Sequence, residues 1–334
     1  MTAFSATSLA YQDLGPDEVL ASVESLGYRC DGRLLALNSY ENRVYRVGQE
    51  DGPPLVIKLY RPGRWADEAI VEEHAFTAEI AAQEIPVVAP LIHDGEALHR
   101  YRDFRFAVYP CHGGRPPDLE DKTLQRQLGR FIARIHLCGE REPFKHRPRL
   151  DIDSYGLRSR DFLLEAGFIP PDIEPAYTSL CGHLFERIAE CYTRAGDVRD
   201  IRMHADFHPS NVLVIDDQLH IVDFDDCRMG PAVQDLWMFL SGDREEQTPQ
   251  LEALLAGYTE FRLFDARELH LIEALRTLRI MHYAAWLARR WEDPAFQIAF
   301  PWFDSRRYWD EHVLMLREQA ALMDEPPLVW EGAA

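Results

Sequence analysis

The stretch His204-Ala-Asp206-Phe-His208-Pro-Ser-Asn211, then Val212-Leu-Val-Ile215, Asp216-Asp217-Gln218, Leu219-His-Ile-Val222 and Asp223-Phe224-Asp225-Asp226 decides the fold. Two apolar, β-branched runs around a short acidic turn read as a β-hairpin. A hairpin returns its second strand to the start of its first, so Asn211 and Asp223 come to one end of it. Asp206 lies five residues before Asn211. Carboxylates gathered so closely repel by about 4 kcal/mol at a separation of about 4 Å and an effective dielectric of about 20. A cation or a proton must resolve the cluster. Carboxylate and amide oxygens suit Mg²⁺ rather than zinc, and Mg²⁺ usually arrives with phosphates.

Isolated acids beside hairpins are mostly solvated loops or turn caps. Asp-x-x-x-x-Asn followed by Asp at the far shoulder of a hairpin is more specific, being the layout of a kinase catalytic loop and its metal-binding aspartate. His204, Asp206 and His208 also alternate along the chain, which would put them on one side of an extended segment, as in a metallo-hydrolase. That reading leaves Lys58, Asn211 and Asp223 without a role.

Outward from this stretch the chain reads as two parts. Residues 1–109 are mixed α/β, with a short helix from Pro16, strands over 33–37, 43–47, 55–60 and 104–109, and a helix over 66–84 that Pro86 ends. Lys58 stands inside the apolar strand Leu55-Val-Ile-Lys-Leu-Tyr60, where an ammonium must snorkel or find an anion. Glu73, Phe76 and Ile80 share a helix face at i, i+3, i+7, which points Glu73 inward as the partner for Lys58, with Glu72 as the competing choice. Ser39 and Asn42, in the turn two strands earlier, could offer N–H groups and short side chains to a phosphate. Pro110-Cys-His-Gly-Gly-Arg-Pro-Pro117 marks a hinge. Residues 118–334 are mostly helical, with stripes at Leu128, Phe131, Ile132, Ile135 and at Tyr177, Leu180, Leu184, Ile188, Cys191, and further helices over 251–263, 267–291 and 305–323. Asp235, opening an apolar helix, is expected to accept hydrogen bonds from the catalytic-loop backbone. His136 reads as a satisfied core histidine, and Phe300-Pro-Trp302-Phe303 as packing.

Composition bounds the function. At 334 residues with 46% hydrophobic and 28% charged residues, the chain is ordinary globular material. Its net charge of −20 argues against nucleic acid and acidic membrane surfaces as partners, and leaves room for a cationic substrate. No C-x-x-C pair, signal peptide or 18-residue apolar run is present, so a cytoplasmic location is expected.

The residues Leu37-Asn-Ser-Tyr-Glu-Asn-Arg-Val-Tyr45, Lys58 with Arg61-Pro62, Glu72-Glu73-His74 and Gly230-Pro-Ala-Val-Gln-Asp-Leu-Trp-Met238 resemble the choline kinase, aminoglycoside phosphotransferase and homoserine kinase group. The resemblance runs from about residue 10 to residue 320. It implies an α+β, two-lobed protein-kinase-like fold: an N-lobe with an antiparallel sheet plus a helix, and a mostly helical C-lobe with a catalytic β-hairpin. It implies a monomeric ATP- and Mg²⁺-dependent kinase acting on protein serine or threonine, or on a small-molecule alcohol. By position, Asp206 would accept the proton, and Asn211 and Asp223 would hold Mg²⁺. Ser39 would lie at the ATP site, Lys58 and Glu73 would grip phosphate, and Ala107 to Pro110, Tyr109 included, would border adenine. His204, His208, Asp225 and Asp235 would support the site. The sequence has His204-Ala205-Asp206 with no arginine beside the acid, Asp223-Phe224-Asp225 with no glycine, and no A-P-E. Constitutive competence is therefore expected, and a binding-only pseudokinase is not.

Overall fold

The computed structural model describes residues 11–333 except Gln12 and Asp217; the hairpin-turn position Asp217 thus lies outside the described residues. In chain order the elements are α1 (Pro16–Glu24), β1 (Cys30–Ala36), β2 (Arg43–Gln49), β3 (Leu55–Leu59), α2 (Asp67–Ala81), β4 (His99–Tyr101), β5 (Phe104–Pro110), α3 (Lys122–Gly139), α4 (Arg158–Glu165), α5 (Glu174–Ala195), β6 (Ile201–Met203), β7 (Val212–Ile215), β8 (Gln218–Ile221), β9 (Arg228–Gly230), α6 (Gln234–Trp237), α7 (Arg244–Tyr258), α8 (Ile272–Arg289), α9 (Pro294–Ala299) and α10 (Arg306–Asp324). They form two compact units. The first takes the chain as far as Pro117, with Lys145–Arg147 and Ser210–Asp226. The second takes Asp118–Phe144, Pro148–Pro209 and the chain from Cys227 onward. The expected linker 110–117 belongs to the first unit, and so does the hairpin, expected with the helical part.

In the first unit, five antiparallel strands lie in the order β1-β2-β3-β5-β4. Side chains alternate across a strand. On β3, Leu55, Ile57 and Leu59 pack into one apolar cluster with Val19 and Val23 of α1 and Phe104, Phe106 and Val108 of β5. Lys58 is therefore on the opposite face, directly across from Ala107 on β5, while Val56 faces Tyr109. Buried Glu73, His74, Phe76, Thr77 and Ile80 form the inner side of α2. Phe76 meets Phe224 edge-on at 6.0 Å, which ties α2 to the residues after the hairpin. Arg115 pairs with Val214 through two backbone hydrogen bonds, so the 110–117 segment lengthens the sheet edge of that hairpin.

The second unit is helical, apart from a short ribbon of β6 with β9. Gly129 of α3 and Gly257 of α7 let these helices approach backbone to backbone: a Cβ on Gly129 would stand 1.9 Å from the Leu254 carbonyl oxygen. The helix expected over 251–263 starts earlier, at Arg244, because the Asp243 carboxylate caps the N–H groups of Glu245 and Glu246. The helix expected over 267–291 begins as a 3₁₀ turn at 266–271 before α8. Among the described residues, no helix is long and apolar enough to cross a membrane.

Candidate active site

In the first unit the hairpin delivers its shoulders as expected. Val212 pairs with Ile221, and the Val222 N–H donates to the Asn211 carbonyl at 3.0 Å, so Asp223 emerges beside Asn211. Asn211 is buried. Asp223 has φ 62°, the left-handed region that costs a non-glycine residue about 1–3 kcal/mol and concentrates at functional sites. That turn aims its half-exposed carboxylate at Lys58, whose Nζ lies 3.0 Å from Asp223 Oδ1, 3.2 Å from Asp225 Oδ1 and 3.8 Å from Glu73 Oε1. Burial acts to lower the Lys58 pKa, but the three carboxylates hold it well above its ordinary value, so the ammonium stays charged. Burial pushes the Glu73 carboxyl up despite Lys58 and Arg147. Asp225 is also buried, yet Arg64, Lys58 and Arg147 keep its carboxyl low.

Glu72 does not compete for Lys58. Its carboxylate accepts the N–H groups of Lys145, His146 and Arg147 at 2.6, 2.8 and 3.0 Å. That holds Arg147 in place, and Arg147 in turn grips the site. Its guanidinium donates to Glu73 Oε2 at 3.0 Å, to the Ala69 carbonyl at 2.8 Å and to the Asp225 carbonyl at 2.5 Å, and it stacks over Trp65 at 4.5 Å. Arg64 pairs with both Asp225 and Asp226. Neither arginine is legible in the sequence, since neither lies within a local pattern that names its partner.

Around the expected nucleotide position, Ser39 is half-buried, while Asn42 is buried with its amide oxygen accepting the Arg61 N–H at 3.1 Å. The Asn42 side chain thus braces the turn, leaving backbone N–H groups and Ser39 as what this turn can offer a phosphate. Ala107 is fully buried, and the Tyr109 hydroxyl lies 3.1 Å from that of Tyr60, which meets His74 Nε2 at 2.7 Å.

In the second unit, Asp206 follows Ala205, another left-handed residue at φ 67°. The Asp235 carboxylate holds this turn by accepting the N–H groups of His204 at 2.8 Å and Ala205 at 2.7 Å, and Gln234 donates to the Ala205 carbonyl at 2.9 Å. Asp235 is itself held by His136 Nε2 at 3.1 Å. A carboxylate only accepts, so that ring nitrogen carries the proton. His136 Nδ1 lies 2.9 Å from the Tyr258 hydroxyl, and burial lowers the His136 pKa, so the ring is neutral as well as satisfied. The left-handed turn also breaks the alternation that would align His204, Asp206 and His208. His204 is fully buried, with its ring stacked on Phe207 at 4.7 Å, whereas His208 Nε2 lies 3.4 Å from Asp206 Oδ2. Among the described residues no group of three or more His, Cys, Asp or Glu is arranged to hold a metal ion, so the hydrolase arrangement does not form. Asp206 Oδ1 accepts a hydrogen bond from Arg279 Nη1 of α8 at 2.6 Å, a partner 73 residues away that no local sequence pattern marks.

The donors in the first unit fit a hard divalent cation. Asp223, Asp225 and Asn211 are by residue type the oxygen donors such an ion takes, and buried Asp225 Oδ1 has the Lys58 ion pair but no hydrogen bond.

The five-stranded antiparallel sheet of the first unit and the helical second unit are those of an α+β, protein-kinase-like fold. The chain belongs to the phosphotransferase enzyme family, whose model matches residues 33–272. It is a kinase, and within the family it is similar to stress response kinase A of Escherichia coli strain K12, at 39% identity over 322 residues, 96% of this chain and 97% of that one. It is similar to the serine/threonine protein kinase RdoA of Salmonella typhimurium strain LT2, at 39% over 321 residues with the same shares covered. The fold is shared with amicoumacin kinase hAmiN, solved with AMP-PNP, Ca²⁺ and Ami, at a TM-score of 0.70, 20% identity and 94% coverage of each chain.

Proposed function

We propose that the chain transfers the γ-phosphoryl group of ATP to serine or threonine hydroxyls of protein substrates, in the cytoplasm and with Mg²⁺ as its divalent ion. The observation that carries this is the buried Lys58 ammonium, kept charged by Glu73, Asp223 and Asp225. A buried cation held by acids that exceed it in number is poised to exchange one of them, half-exposed Asp223, for a phosphate oxygen. The similarity to a relative named as a serine/threonine protein kinase supports the acceptor class.

In this reading Lys58 grips the α- and β-phosphates while Glu73 steadies it. Asn211 and Asp223 hold Mg²⁺ through side-chain oxygens, with Asp225 beside them. When bound, the ion neutralises phosphate oxygens and orients them. Ser39 and the N–H groups of its turn meet the phosphates, and residues 107–110 border the adenine. Asp206 orients the acceptor hydroxyl and takes its proton. The acceptor oxygen bonds to the γ-phosphorus, the bridging P–O bond breaks, and ADP leaves with that electron pair. Arg147 already fastens Glu73 and the Asp225 carbonyl without any phosphorylated residue, which supports a site that stands ready rather than one gated by phosphorylation.

The test offers γ-labelled ATP to the protein and small-metabolite fractions of a lysate separately. Label is expected on serine or threonine in the protein fraction, and its transfer should stop when EDTA removes divalent ions. Label confined to small metabolites would replace the protein kinase with a small-molecule kinase.

A further inference from the structure

Asp206 does not face its acceptor as a bare acid. Arg279 Nη1 donates to one of its oxygens at 2.6 Å, and His208 stands 3.4 Å from the other. Arg279 comes from α8, whose span Ile272–Arg289 carries Arg276, Arg279 and Arg289 but a single carboxylate, in a chain of net charge −20. That carboxylate, Glu273, is taken by Arg276 through contacts of 2.9 and 3.1 Å. One turn beyond Arg279, His282 stacks on Tyr155 at 4.0 Å, and the same ring carries the Arg228 guanidinium at 4.8 Å. Of the α8 side chains, Arg279 is thus the one that puts a cation on Asp206, in a chain whose overall charge is of the opposite sign. The Arg279 side chain is one-third exposed, so a molecule arriving at Asp206 meets it.

We infer that Arg279 determines acceptor specificity: its guanidinium, fixed on Asp206, admits hydroxyls flanked by neutral or anionic groups and rejects alcohols that carry a cation beside the hydroxyl. This rests on the reading of Asp206 as the group that receives the acceptor proton. A hydroxyl hydrogen-bonded to Asp206, with an ammonium two carbons away, would leave that ammonium drawn to the bare carboxylate; the Arg279 guanidinium about 5 Å from it cancels this attraction, an effect of Arg279 equivalent to about 10²-fold in relative rate at an effective dielectric of about 20. An acidic residue next to a target serine would instead gain a partly exposed ion pair, which adds about two- to fivefold. The excess of acid over the whole chain would draw cationic alcohols toward the protein. The local cation at Asp206 turns them away from the reaction.

The experiment measures kcat/KM for a serine peptide flanked by glutamates, the same peptide flanked by arginines, and choline, using the wild-type chain, Arg279→Gln and Arg279→Lys. The wild type should favour the acidic peptide over the basic one by about 10- to 100-fold and should use choline least. Arg279→Gln should collapse that ratio, mainly through KM, and raise the relative rate on choline; Arg279→Lys should restore the ratio. A general loss of Asp206 orientation lowers kcat for every acceptor by a common factor and cancels in the ratio. An Arg279→Gln enzyme with lower kcat and an unchanged ratio would overturn the inference, as would a wild type that prefers choline or the basic peptide; in both cases the kinase reading survives. Failure of the wild type on all three acceptors, with ATP still bound, would count against the role of Asp206 and against this inference together.

Discussion

Replacing Asp206 with Asn is expected to lower phosphoryl transfer by about 10²- to 10⁴-fold, the span of a positioned acid–base group, with ATP affinity close to wild type. The substitution keeps the size and one acceptor oxygen of the side chain, so the Arg279 contact persists. The turn beneath it is held independently by Asp235 through the His204 and Ala205 N–H groups, and Asp235 is held by His136. What is lost is a carboxylate that can take a proton. The effect should therefore fall on kcat. Steady-state transfer and equilibrium ATP binding on the same preparation check it: full transfer by Asp206→Asn removes this residue as the proton acceptor, and loss of ATP binding with kcat intact would move it to the nucleotide.

The second large effect is on stability. In the first unit the carboxylates of Glu41, Glu73, Asp223, Asp225 and Asp226 are matched by Lys58, Arg61, Arg64 and Arg147, five acids to four bases. Lys58→Met leaves five against three, with Glu73 and Asp225 buried among them. Breaking a buried pair from one side costs about 3–5 kcal/mol, because the partner is stranded as a charge. Burial already raises the Glu73 pKa, and loss of Lys58 raises it further. A carboxyl whose folded pKa lies above its unfolded value stabilises the protein fully at low pH and loses that contribution as pH rises through the folded value. The Lys58→Met deficit should thus be greatest at neutral pH and shrink on acidification. Adding Glu73→Gln to Lys58→Met should recover much of the stability at neutral pH without restoring ATP affinity. Thermal unfolding of the three variants between pH 5 and pH 8, beside nucleotide titrations, checks this. A Lys58→Met variant as stable as the wild type, with ATP affinity unchanged, would remove the charge-exchange argument.

What the sequence showed and what it hid follow from the range of the interactions. The hairpin was legible because two-residue alternation and a turn are local. Lys58 was legible as a charge inside an apolar strand, and Glu73 through its i, i+3, i+7 neighbours, both now buried with their partner. Asp235 was legible because it opens an apolar helix soon after the acids. Arg147 and Arg279 were not: they meet Glu73 and Asp206 from 74 and 73 residues away, and no window of periodicity links such positions. The left-handed backbones of Ala205 and Asp223 were equally hidden, since neither residue type announces a positive φ as glycine does. The three-residue strands of the β6–β9 ribbon are too short for alternation to register.

Metal-dependent ATP binding by the wild type and by Asp223→Asn tests the centre of the account most directly. The wild type should bind ATP at least about tenfold more tightly with Mg²⁺ than in EDTA, and Asp223→Asn should lose that increment while keeping the weaker, metal-free affinity that Lys58 supplies. Equal Mg²⁺-dependent tightening in both proteins, or no ATP binding by either, would contradict it.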